Sequence, residues 1–66
     1  MIITINGKPE EVKMQLNLAE LILSKGLPAN NLVVEHNSRI LPQHQWQNIA
    51  LKENDTIEIV SFVGGG

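Results

Sequence analysis

The sequence predicts an α+β roll, a mixed sheet of four to five strands with one helix packed across it. Three observations carry the prediction. Residues 1–16 alternate as an opening β-hairpin would, and residues 18–25 switch to the spacing of a short helix. Apolar β-type runs then return over residues 32–62. The last of them follows intervening elements, so it can lie parallel beside the first without a forbidden connection.

Each element has a local cause. Ile3 and Ile5 alternate with Ile2 and Thr4 as one short strand, and Asn6-Gly7 is the commonest two-residue hairpin signal because both residues tolerate φ > 0. Lys8-Pro9 widens the turn, since Pro9 cannot donate to a ladder. The strict alternation of Val12, Met14 and Leu16 with Glu11, Lys13 and Gln15 predicts a half-buried second strand. Asn17 is a good N-cap with Glu20 three residues on, a capping-box pattern. Leu18, Leu21 and Ile22 line one helical face, and Gly26 and Pro28 end the helix near Lys25. Leu32–His36 reads as a strand, Asn37-Ser38 as a turn and Arg39–Pro42 as a short extended piece. Gln43–Asn48 reads as a helical turn anchored by Trp46. Ile49 and Leu51 suggest another short strand, and the polar turn Lys52–Asp55 leads to the last strand, 56–62, with Ile57 and Ile59 inward. Ile3, Ile5, Val12, Leu16, Leu21, Ile22, Trp46, Ile57 and Ile59 should share one core.

Composition excludes several classes. Sixty-six residues make one small domain, too small for a buried pocket of substrate size. A hydrophobic fraction of 42% is ordinary for a globular chain. With no cysteine there is no disulfide, thiolate nucleophile or Cys-type metal site. No apolar run reaches the roughly 20 residues of a membrane helix, and Met1–Thr4 does not open a signal peptide, so no membrane association and a cytoplasmic location are expected. A net charge of −2 with scattered basic residues leaves no footprint for nucleic acid.

The body reads as residues 1–62 and the rest, 63–66, as a flexible glycine tail. Val60-Ser61-Phe62-Val63 gives way to Gly64-Gly65-Gly66, and three glycines cannot pack a core or hold a fixed shape alone. If Gly66 is the terminus, the tail is a thin arm bearing one handle, the α-carboxylate. Five residues from Phe62 reach about 17 Å at roughly 3.4 Å each, enough to enter a narrow channel. Phe62 and Val60 lie on the strand face opposite Ile57 and Ile59, and are read, with Val63, as an exposed apolar patch for a partner.

Three stretches together resemble the ThiS family, the ubiquitin-like (β-grasp) sulfur carriers of thiamine biosynthesis. They are Met1-Ile2-Ile3-Thr4-Ile5-Asn6-Gly7, Asn37–Pro42 with Trp46, and Asp55–Gly66. Asn54 stands where the family often has glycine before the aspartate, and suits a φ > 0 turn almost as well. Gln43 stands where an arginine often follows the proline, so no contact by that arginine is carried over. The resemblance implies that a ThiF-like enzyme adenylates the C-terminal carboxylate with ATP. A persulfide donor then supplies sulfur to give a thiocarboxylate at Gly66, which thiazole synthase (ThiG-like) accepts. Gly64 and Gly65 would enter the partners' channels. On this reading the chain is a protein co-substrate, not an enzyme; it binds no cofactor and is a monomer when free. Two other functions share the features, the small sulfur-carrying subunit of molybdopterin synthase and a non-covalent β-grasp binding module.

The remaining candidates point to no chemistry of their own. His36 and His44 lie on different elements and read as surface histidines rather than metal ligands. Glu10-Glu11 and Glu53–Asp55 read as solvated turn charges. No nucleophile triad or phosphate loop is present.

Overall fold

The computed structural model describes residues 1–62. Five strands, β1 (Ile2–Ile5), β2 (Lys8–Glu11), β3 (Leu32–His36), β4 (Arg39–Leu41) and β5 (Thr56–Ser61), form one sheet in the order β2-β1-β5-β3-β4. β1 and β5 pair parallel, with Ile5 opposite Ile57, and every other pairing is antiparallel. The expected β-grasp roll is therefore present, with the last strand at the centre of the sheet.

The helix α1 (Leu18–Ser24) forms where the capping pattern places it. Asn17 Oδ1 accepts from the Glu20 N–H at 2.7 Å, and the Glu20 carboxylate accepts from the Asn17 N–H at 2.9 Å. Two orphan amides of the first turn are thus satisfied reciprocally. Leu18, Leu21 and Ile22 are buried against the sheet. Gly26, at φ +70, ends the helix in the left-handed conformation. Around α1 pack Ile3, Ile5, Val34, Trp46, Leu51 and Ile57, with Val12, Leu16 and Ile59 at the half-buried rim, so all nine expected core residues join one cluster. Trp46 sits in a 3₁₀ segment, Gln43–Asn48, and its Nε1 donates to the Leu41 carbonyl at 3.0 Å. That bond satisfies the indole inside the core and ties the segment to β4.

Three expectations are corrected. The second strand lies at Lys8–Glu11 and not at 11–16, because β1 is short. Val12 exchanges hydrogen bonds with Met1, and beyond it β1 offers no further partner. The alternation runs on, but Met14 is 71% exposed and Gln15 turns at φ +64 toward α1. Pro9 is accommodated because β2 is an edge strand. Secondly, Ile49 and Leu51 make no strand. They line a bridge between Asn17 and Ala50, with bonds from Leu18 N–H to the Ile49 carbonyl and from Leu51 N–H to the Leu16 carbonyl. The third concerns Asp55, which is buried rather than solvated.

Candidate functional site

The approach to the glycine stretch is built by β5. Along this strand Ile57 is buried and Ile59 half-buried on the helix side, while Val60 and the following Phe62 are 55% and 58% exposed. Val33 stands directly opposite Val60 on β3, and by alternation shares its outer face. The next outward row carries Ile40, Glu35 and Glu58 side by side across β4, β3 and β5. The exposed apolar patch expected at Val60 and Phe62 is therefore present, bordered by two carboxylates. The Phe62 N–H donates to the Asn31 carbonyl at 2.8 Å, so β5 stays attached on its β3 side to that point. Val63, Gly64, Gly65 and Gly66 lie outside the described residues.

On its other flank β5 meets a side chain. Asn6, at φ +51 in the first hairpin turn, accepts from the Ile59 N–H through Oδ1 at 2.7 Å. Its Nδ2 donates to the Ile59 carbonyl at 3.3 Å. The turn signal at Asn6-Gly7 accounts for the backbone and says nothing of this pairing, which spans 53 residues.

At the start of β5 sits a polar cluster that the sequence reading missed. Asp55 accepts from His36 Nε2 at 2.9 Å, from Asn37 Nδ2 at 3.0 Å and from the Lys52 N–H at 2.8 Å. Asn37 in turn accepts from the Thr56 N–H at 2.9 Å. The β3–β4 turn, with Asn37 and Ser38 at φ +50 and +72, is thereby locked to the loop entering β5. Burial pushes the Asp55 carboxyl up, but the hydrogen bonds from Asn37, His36 and Lys52, with the charge of His36, outweigh it and hold the pKa below the ordinary 3.8. A carboxyl lowered in the folded state contributes stability that is present above its ordinary value and lost as pH falls through the lowered one. Asp55→Ala strands three donors and should cost about 2–3 kcal/mol. Asp55→Asn should also flatten the acid side of the stability curve, read by thermal melts from neutrality to about pH 2. An unchanged acid limb would show that Asp55 is not the group titrating.

His36 is thus a half-buried partner of Asp55 rather than a surface histidine, whereas His44 is exposed. Among the described residues no three His, Cys, Asp or Glu side chains are grouped to hold a metal. No described helix is long and apolar enough to cross a membrane. The exposed apolar patch of Val60 and Phe62 thus lies on the strand that leads into the glycines.

Comparison with known proteins agrees with that geometry. The crystal structure of the thiamine biosynthesis protein ThiS from Geobacter metallireducens superposes with a TM-score of 0.86, at 33% identity and with both chains fully covered. The sulfur carrier protein ThiS of Bacillus subtilis is 35% identical over 63 residues, spanning 94% of this chain and 96% of that protein. The thiazole synthase of Paramagnetospirillum magneticum is 30% identical over 66 residues, where this chain spans only 20% of the relative's length. The profile of the ThiS family matches residues 3–66, running through the glycines. The chain belongs to the ThiS family.

Proposed function

We propose that this protein is a sulfur carrier for thiazole formation in thiamine biosynthesis, with the Gly66 α-carboxylate as its reacting group. The observation that carries the reading is the central strand β5, which passes an exposed apolar patch at Val60 and Phe62 and leads directly into Val63-Gly64-Gly65-Gly66. A carboxylate is a poor electrophile. A ThiF-like enzyme converts it to an acyl adenylate with ATP, releasing pyrophosphate. Sulfur from a persulfide donor then displaces AMP, and thiol reduction of the resulting acyl persulfide frees the thiocarboxylate. That sulfur is a better nucleophile than a carboxylate oxygen, which suits delivery to a thiazole synthase. Gly64 and Gly65 present no side chains to either enzyme's channel.

The likeness to part of a thiazole synthase supports that acceptor. A carrier-like module joined to the synthase would meet it at high effective concentration, which is useful only if the two work together. Intact-mass analysis of the protein purified from its own cells should find oxygen replaced by sulfur at the C-terminus, and the cognate thiazole synthase should remove that sulfur. Persistent carboxylate under thiamine limitation, or sulfur transfer to a pterin precursor instead, would overturn the assignment.

Docking can be tested apart from chemistry. Phe62→Asp places a charge in an exposed apolar patch beside Glu58 and Glu35, so the fold should survive. Affinity for the adenylating enzyme should fall about tenfold or more. Titration by calorimetry, with circular dichroism as the folding control, gives the answer, and equal affinity would remove Phe62 from the interface.

A further inference from the structure

The ladder between β1 and β5 ends early. Its last paired residues are Ile5 and Ile57, followed by one bond from the Asn6 N–H to the Ile57 carbonyl at 2.9 Å. There the chain turns into β2 through Asn6 and Gly7, at φ +51 and +80. β5 nevertheless continues to Ser61. The Asn6 carboxamide fills the vacated place. It carries an acceptor and a donor on one planar group, as a peptide does, and presents them to the N–H and C=O of Ile59. Among the described residues this is the last hydrogen bond to β5 on that flank. On the other flank, pairing runs two residues further, to Ser61, and a last bond joins the Phe62 N–H to the Asn31 carbonyl.

We propose that Asn6 is a positioning residue for the reacting tail, acting as a side-chain rung that fixes where β5 leaves the sheet. The proposal rests on the carrier reading above. Ile59 lies seven residues before Gly66, a span of roughly 24 Å when extended. With the rung in place, β5 is held by Asn6 at Ile59 and by β3 at the adjoining Val60, and the chain beyond departs from a defined point. Without it, the end of β5 hangs from β3 alone, and its point of departure from the sheet is no longer fixed. Val60 keeps its pairing with Val33, so the docking patch survives. The loss falls on the fraction of docked complexes whose carboxylate is in place to react.

The test compares Asn6→Gly and Asn6→Asp with the parent. Glycine accepts φ +51 without strain, so the turn persists while both side-chain bonds disappear. Aspartate keeps the acceptor for the Ile59 N–H but sets a carboxylate against the Ile59 carbonyl. Amide hydrogen exchange at Ile59 should accelerate at least about tenfold in Asn6→Gly, with Val34 as the core reference, and less in Asn6→Asp. In pyrophosphate exchange with the ThiF-like enzyme and ATP, kcat should fall about tenfold while KM for the carrier stays within about threefold. Asn6→Asp should recover part of the loss. Unchanged exchange at Ile59 would show that there is no clamp. Faster exchange with unaltered kcat, or a rise in KM alone, would show that the clamp does not position the tail. A parent protein that is not adenylated at all would remove both the carrier reading and the positioning role, while the exchange data would still judge the rung.

Discussion

Deleting Gly66 is expected to reduce adenylation by about two orders of magnitude or more, with the folded body untouched. The shortened chain still ends in a glycine carboxylate, so its intrinsic chemistry is the same. What changes is reach, by roughly 3.4 Å. Displacements of about 1 Å already cost on the order of 10²-fold in positioned reactions. Gly65→Val keeps the reach but adds β-branched bulk beside the reacting residue and removes the φ > 0 conformations. It should fail in the channel for a different reason. Neither substitution touches the buried cluster of Ile3, Leu18, Leu21, Val34 and Ile57, so melting temperatures should match the parent. Carboxylate-dependent pyrophosphate exchange measures the first step, and intact mass measures the replacement of oxygen by sulfur. If the shortened chain is thiocarboxylated as fast as the parent, reach does not limit the reaction and Gly66 is not required to carry the sulfur.

The parts of this molecule that are legible in its sequence are those set by near neighbours. Asn17 and Glu20 specify the capping box within one turn, and the stripe of Leu18, Leu21 and Ile22 specifies the buried face. Strand parity places Val60 and Phe62 outward opposite Ile57. Where sequence reasoning went astray, the deciding partner was far away. The alternation through Met14 and Leu16 is as regular as that of a strand, but pairing stops where β1 runs out. Asp55 looks like one more turn charge beside Glu53. Its parity with Ile57 and Ile59 does point it inward, yet only His36 and Asn37, 19 and 18 residues away, make its burial affordable. Asn6 is read correctly as a turn residue, while its second role needs Ile59, 53 residues on. The glycines are a different case. A reacting role for them is proposed through likeness to a family, because three glycines have the same physics in a carrier and in a linker.

Leu21→Ala is expected to unfold a large share of the molecules at physiological temperature. Leu21 is 1% exposed at the centre of the helix stripe, within the one buried cluster that joins helix and sheet. Truncation removes its apolar transfer energy and leaves a cavity that a helix pinned at both ends cannot close. Losses of this kind run to about 2–5 kcal/mol. At about 0.05–0.15 kcal/mol per residue, a domain of this length has only roughly 3–10 kcal/mol in all. Leu21→Met, which nearly conserves volume, should cost under about 1.5 kcal/mol and so separates cavity formation from mere substitution. Urea melts followed by circular dichroism give both values. The consequence for function is opposite to that of the tail variants. Leu21→Ala retains Gly66 and all its chemistry, so adenylation should fall only with the unfolded fraction, more at higher temperature. A partner that binds the folded state draws the equilibrium back, so excess adenylating enzyme should restore activity. Full stability in Leu21→Ala would contradict the core described here. Activity lost even under saturating enzyme would mean that Leu21 contributes to more than holding the body together.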